Sequence, residues 1–292
     1  MIEPIVDIST WQGPINYSKL ASAARAVIIR AGSISSGDNK TVYSDYRFTK
    51  NANGLRGRIP MSFYWYFRPF RAKEQADLFS RMYNDYDCKL EPVIDVEVPT
   101  QTQPLMQKEL KLMVDVITDK TGKKPIIYTR ATIWNPYVGN PFWAKDLKLW
   151  IAYYNRTATH PWEGSVSWLR PITWSDWFMW QYSADGNKRG VEFGVSSSDI
   201  DINRCNMTEE QWKRYIGGEL ISPPAPQPEF PRIMKVNRPI YNYRSIPRVL
   251  QNNILGKMLL GTKVKVIEKQ GKWYKIQPQQ GWMHESGLEE TE

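Results

Sequence analysis

Cysteine and histidine are nearly missing from this chain: 292 residues hold two of each, Cys88 and Cys205, His160 and His284. Two cysteines cannot staple a chain of this length and their spacing matches no zinc motif, so free thiols are expected. Without an HExxH pair or further histidines, a histidine-built metal centre and a Ser/His/Asp hydrolase are both poor readings. Catalysis, if there is any, falls to carboxylates. No apolar run approaches the ~18 residues that a membrane span needs, and no short apolar stretch behind a basic start marks a signal peptide. Synthesis in the cytoplasm is therefore expected, without a membrane partner. No glycine-rich turn follows the first apolar run, which removes the phosphate cradle of a nucleotide-binding sheet; no cofactor is expected.

What is present is ordinary globular material, 41% hydrophobic and 24% charged, which sets aside disorder, collagen and coiled coil. The net charge of +9 favours an anionic partner: nucleic acid, membrane surface or a cell-wall polyanion. Thirteen tryptophans and 16 tyrosines exceed what a core of this size needs. Flat rings at a surface stack on sugars or bases, whereas buried ones fill volume.

Residues 217–232, GGELISPPAPQPEFPR, hold five prolines and two glycines and cannot continue a helix or a central strand. They read as a linker between a catalytic-sized piece, residues 1–216, and a small piece, residues 233–292. The small piece carries 10 Lys and Arg against 5 Asp and Glu, the larger 28 against 23. Per residue the tail is the more basic, and hence by charge the better candidate for docking.

Along the first piece, apolar runs expected to be strands cover residues 4–8, 26–31, 60–67, 92–97, 125–129, 147–153, 178–183 and 199–203. Amphipathic stretches at 17–25, 42–53, 72–86 and 104–121 read as helices between the early strands. Strand followed by helix, repeated, argues for an α/β fold with a parallel sheet, and eight strands argue for a TIM-like barrel. The late strands lack clear helices, and residues 161–171 read as loops and hairpins. A doubly wound open sheet is the alternative.

In a barrel of this kind the active site lies at the carboxyl ends of the strands. Asp7 sits near the end of the first strand, Asp95 and Glu97 at the end of the fourth, and Asp199 and Asp201 by the last. In EPVIDVEV, residues two apart on a strand face the same way, so the Cα atoms of Asp95 and Glu97 would lie roughly 6.5–7 Å apart. Two acids so close cannot both ionise freely, and one raised pKa would supply a general acid. An Asp-x-Glu can also do no more than cap a helix or pair with arginine, but the apolar neighbours Val93, Ile94, Val96 and Val98 argue against surface duty. Oxygen ligation of Mg²⁺ or Ca²⁺ by the same acids ranks below acid/base work, since no EF-hand spacing occurs.

The opening DISTWQG, with Asp7, Ser9, Gln12 and Gly13, resembles the Asp-x-Ser-x-x-Gln-Gly start of family 25 glycoside hydrolases, the Chalaropsis-type lysozymes. GRIPMSFYWYFRP, EPVIDVE, KPIIYT, LWIAYY, MWQYS and DIDIN resemble further family segments in the same order, over residues 4 to about 204. The resemblance implies a (β/α)5β3 barrel and hydrolysis of the β-1,4 bond between N-acetylmuramic acid and N-acetylglucosamine in bacterial peptidoglycan. It implies that Glu97 is the general acid/base and that Asp95 orients and stabilises a substrate acetamido group. Asp7 and Asp201 would hold charge and bind sugar hydroxyls, Asp199 competing with Asp201 for that role. Tyr64, Tyr128, Trp180 and Gln181 would line the sugar groove, with barrel core as the other reading for the rings. Substrate-assisted retention, a carboxylate nucleophile and inversion are all open. Where many members have histidine this chain has Trp65, and altered sugar contacts are expected there.

In the tail, NYRSIP, GTKVKVI, GKWYKI and GWM resemble the bacterial Src-homology-3-like domain of wall hydrolases. Alternating short strands argue for a small all-β barrel cored by Val264, Val266, Trp273, Tyr274, Ile276 and Trp282. Its tether would raise the effective substrate concentration for the first domain. The combined expectation is a peptidoglycan muramidase, fitting a phage endolysin that acts on a Gram-positive wall after release from the cytoplasm. The rivals are a bacterial autolysin, a catalytically silent glycan-binding barrel and, most remotely, a nucleic-acid binder with steep salt dependence.

Overall fold

The computed structural model describes every residue except 100, 155–169, 218–230, 250–251, 271 and 292. The chain divides into two compact units, Met1–Pro224 and Ala225–Glu292.

The first unit runs β1 (Ile2–Ile8), α1 (Tyr17–Ala23), β2 (Ala26–Ile34), β3 (Val42–Ser44), α2 (Phe48–Leu55), β4 (Met61–Tyr66), α3 (Ala72–Asn84), β5 (Val93–Asp95), α4 (Gln103–Thr121), β6 (Ile126–Thr129), α5 (Ala131–Tyr137), β7 (Leu149–Ala152), β8 (Met179–Ser183), β9 (Asp201–Cys205) and α6 (Glu209–Tyr215). Eight of these strands close a ring in the order β1, β2, β4, β5, β6, β7, β8, β9; β3 extends β2 as a short antiparallel flap. Pairing is parallel from β1 through β8, and β9 closes the ring antiparallel to both β8 and β1. Each of the first five barrel strands is followed by a helix, so the architecture is a (β/α)5β3 barrel.

Strand alternation sorts the side chains. Val6, Val27, Ile29, Phe63, Trp65, Ile94, Ile127, Ile151 and Trp180 face outward and pack with the helices as one continuous apolar layer. Ile5, Ile28, Val93, Ile126 and Met179 face inward and fill the lower interior. The residue two positions further along each of these strands opens onto the barrel mouth.

Several elements differ from the sequence expectation for identifiable reasons. The stretch 42–53 is not one helix, because its β-branched start pairs with β2 before α2 begins at Phe48. The last strand starts at Asp201 rather than 199. Two short helices went unread: α5, masked by Pro136 in its interior, and α6, which starts on a capping box between Thr208 and Gln211. The loops expected at 161–171 lie, up to residue 169, outside the described residues. Cys88 and Cys205 are both buried free thiols, and burial pushes each up to about 12.

The second unit is an all-β sheet of β10 (Arg232–Val236), β11 (Ile240–Arg244), β12 (Ile254–Leu259), β13 (Lys263–Gln270), β14 (Trp273–Gln277), β15 (Gly281–His284) and β16 (Leu288–Glu290). Its strands are antiparallel in the order β12, β11, β15, β14, β13, β10, β16. Val264, Val266, Tyr274 and Ile276 pack with Met234, Val236, Met258, Met283 and Leu288 as its core. Trp282 is buried as expected; Trp273 is not, and lies half-buried with its ring edge-on to His284. The alternation on β14 puts Tyr274 and Ile276 inside and so turns Trp273 out.

Candidate active site

All eight barrel strands send side chains to one cavity of about 150 Å³, at the carboxyl ends of the seven parallel strands and the amino end of antiparallel β9. Asp7 comes from β1, Arg30 from β2, Tyr64 and Tyr66 from β4, Asp95 from β5, Tyr128 from β6, Trp150 from β7, Gln181 from β8 and Asp201 from β9. Glu97 and Tyr154 join them from just past the ends of β5 and β7. One mouth of the barrel thus gathers four acids, Asp7, Asp95, Glu97 and Asp201, as the sequence reading expected.

A fixed hydrogen-bond chain holds Asp7. Gln181 Nε2 donates to Asp7 Oδ2 at 2.8 Å, and Asn203 Nδ2 donates to the same oxygen at 2.9 Å. Gln181 Oε1 in turn accepts from the Tyr128 hydroxyl at 2.6 Å and the Tyr154 hydroxyl at 2.8 Å. Asn203 Oδ1 accepts from Trp150 Nε1 at 2.9 Å. Each amide therefore has donors on one side and an acid on the other, which fixes its orientation.

Electrostatics differ from acid to acid. Burial, partly offset by those two amide hydrogen bonds, raises Asp7 to about 6. Asp201 sits directly opposite Asp7 across the β1–β9 pair; burial and then the Asp7 charge raise it to about 9. Asp95 is only 5% exposed, and burial followed by the charge of Glu97 lifts it well above the carboxylate range. A side-chain hydrogen bond with Glu97 pushes it further in the same direction. Glu97 is the more open of the pair. Half-buried Tyr64 and buried Tyr128 are phenols pushed well up by desolvation and stay neutral donors.

Three residues named from the sequence do not reach the cavity. Trp180 is 1% exposed and points outward into the helix layer, where its Nε1 donates to the Tyr153 carbonyl. It neighbours Gln181, and adjacent strand residues cannot face the same side. Asp199 lies before β9 begins, its side chain bound to Lys188 Nζ at 2.8 Å and to the Ser198 hydroxyl at 3.0 Å. Trp65 is fully buried outside the barrel, with Nε1 on Gln75 Oε1 at 2.8 Å, so it makes no sugar contact. Arg30, Tyr66, Trp150, Tyr154 and Asn203 went unnamed, although the same alternation that links Asp95 to Glu97 links Tyr64 to Tyr66 and Asp201 to Asn203.

The DISTWQG motif divides by role. Only Asp7 lines the cavity; Ser9 caps the turn Thr10–Gln12, and Gln12 Oε1 accepts from the Ser9 backbone at 2.7 Å. Gly13 has φ +68°, and a Cβ there would meet the Ser196 hydroxyl at 2.3 Å.

A closed barrel whose mouth holds four acids among neutral phenols and amides suits a hydrolase that works through carboxylates. The glycosyl hydrolases family 25 model matches residues 6–191, and the bacterial SH3 domain model matches residues 249–289. Lysozyme M1 from Streptomyces globisporus is 30% identical over 217 residues, 69% of this chain and 67% of that one. A bacterial lysozyme from Streptomyces coelicolor superposes with a TM-score of 0.59 at 23% identity, covering 75% of this chain and 99% of that chain. A family 25 glycosyl hydrolase from Bacillus anthracis gives a TM-score of 0.57 at 25% identity, covering 74% and 93%. This chain belongs to glycosyl hydrolases family 25 and carries a C-terminal bacterial SH3 domain.

Proposed function

We propose that the enzyme is a muramidase that cleaves the β-1,4 bond between N-acetylmuramic acid and N-acetylglucosamine in peptidoglycan, with Glu97 as general acid/base. The observation that carries this reading is the placing of buried Asp95 beside the more open Glu97 in one cavity of four acids. Glu97 gives a proton to the glycosidic oxygen as the C1–O bond breaks. A protonated Asp95 is a poor nucleophile, which favours attack on C1 by the substrate's own acetamido oxygen. The pair's one proton has left through Glu97 to the glycosidic oxygen, so Asp95, then a carboxylate, accepts the acetamido N–H and stabilises the cyclic cation. Glu97, now a carboxylate, takes a proton from water, which opens the ring with retention. Asp7, held by Gln181 and Asn203, and Asp201 bind hydroxyls beneath the reacting sugar; Tyr64 and Tyr128 line it.

The basic SH3 unit serves as a wall-docking module, and the role that suits the pair is that of a phage endolysin. Such an enzyme is made in the host cytoplasm and acts on a Gram-positive wall after release. The chemistry is tested by digesting purified Gram-positive walls, reducing the products with borohydride and weighing them by mass spectrometry. Reduced muramic acid ends are expected, and their absence with Glu97→Gln. Reduced glucosamine ends would move the cleaved bond, and no new ends at all would favour a silent glycan-binding barrel. Removal of residues 225–292 is expected to weaken sedimentation with intact walls more than it slows cleavage of soluble fragments. Equal effects would assign the unit a supporting role in the barrel instead. Lysis from within is read by expressing the chain in a host with and without a membrane-permeabilising agent; lysis that needs the agent is the endolysin outcome.

A further inference from the structure

We infer that Arg30 reads the lactyl group of muramic acid and so sets which glycan the cavity accepts, an inference that rests on the muramidase reading. The β2–β4 register shifts between Arg30 and Gly32. Gly32 permits this close packing: a Cβ there would come within 2.1 Å of the Tyr43 carbonyl oxygen and 2.7 Å of the Trp65 ring. Such irregularities re-aim neighbouring side chains. Arg30 enters the cavity as its one lysine or arginine among the described lining residues.

A guanidinium set among four acids ordinarily closes on one of them as a forked ion pair. Arg30 does not. Among the described residues it forms no ion pair, and its Nε is buried without a hydrogen-bond partner. Its guanidinium carbon instead lies 4.9 Å from the centre of the Tyr66 ring. Stacking uses the face of the fork and leaves its N–H edge for a planar oxygen acceptor. A buried donor left empty is costly, so a partner that arrives with the substrate is the economical explanation.

The two sugars of the wall glycan differ in one group, the 3-O-lactyl ether of muramic acid. Its acyl oxygens are a carboxylate in bare glycan and an amide carbonyl where a stem peptide is attached, and both suit a guanidinium edge. Burial raises Asp95 well above the carboxylate range and Asp201 to about 9, which lessens the repulsion an entering carboxylate meets.

The test is binding to the full chain carrying Glu97→Gln, so that nothing is cleaved. The probes are an alternating glucosamine–muramic acid tetrasaccharide with free carboxyls, the same glycan amidated, and chitotetraose, which has no lactyl group. Adding Arg30→Met is expected to weaken the lactyl-bearing glycans about tenfold or more and chitotetraose by less than about twofold. A larger loss for the free carboxyl than for the amide names the carboxylate as the group read; equal losses name the acyl oxygen common to both. Arg30→Lys, which keeps the charge but not the fork, is expected to give the same selective loss at smaller size and serves if the methionine variant does not fold. Equal weakening of all three glycans, or none, overturns the inference. Failure of the muramidase reading shows elsewhere, as an absence of reduced muramic acid ends with the unaltered enzyme.

Discussion

Ile5 and Asp7 on β1, Ile28 and Arg30 on β2, and Val93 and Asp95 on β5 each lie two positions apart. In each pair the first side chain lies in packed apolar matter and the second opens onto the acid cavity. The lower interior stabilises the barrel by burying isoleucine, valine and methionine, each worth about 1.5–3 kcal/mol when removed from water. The upper interior works the other way: it holds acids where their charges are unwelcome, and burial answers by raising the pKa values of Asp95 and Asp201. One step along a strand thus separates the part that maintains the fold from the part that does chemistry at the fold's expense.

The contrast is broken most completely at Glu97. Glu97→Gln is expected to lower turnover of walls by about 10²–10⁴-fold, the usual worth of a general acid/base, while the thermal midpoint stays near that of the parent. Below the cavity the opposite holds. Ile28→Ala is expected to cost about 2–5 kcal/mol in denaturant unfolding, while the activity of the molecules that remain folded changes little. An Ile28→Ala enzyme of full stability would mean that the lower interior is not close-packed.

Asp201 sharpens the comparison through pH. Its folded pKa of about 9 lies above the ordinary 3.8, so the folded state favours the protonated form. That contribution is complete below about pH 4 and is lost as pH rises through 9. Asp201→Asn removes the penalty. Its melting temperature should exceed the parent's by at least about 3 °C at pH 9 and by less at pH 4, with activity reduced at both. A gap that shrinks with rising pH would contradict the burial argument. The smallest effect belongs to Asp199, which the strand boundary leaves outside: Asp199→Asn should alter stability by no more than about 0.5 kcal/mol and leave turnover unchanged.

Most of the barrel was legible because repeated strand and helix patterns and the acids at strand ends obey short-range rules. Site assignments went astray where that rule was applied to some strands and not to others. On β5 alternation brought Asp95 and Glu97 together; on β8 the same alternation excludes Trp180 once Gln181 is inside. Arg30 follows Ile28 by two residues and could have been placed by parity, but an arginine within an apolar run carries no marker of a cavity. Asp199 and Asp201 share a parity, and what separates them is where β9 starts, a boundary set by pairing with β1 and β8 rather than by composition. Trp150 and Tyr154 were lost among the many rings, since a ring's type does not tell the wall of a cavity from its packing.

The capping turn after β1 has a bearing on how such proteins are recognised. Ser9, Gln12 and Gly13 shape a corner, and of the residues that give the motif its signature Asp7 alone meets the cavity. A descendant that lost Glu97 would still need that corner to fold and would keep the motif almost letter for letter. The signature is therefore a badge of architecture: it certifies the doorway and carries no word of Asp95 and Glu97, the acids proposed to cut inside.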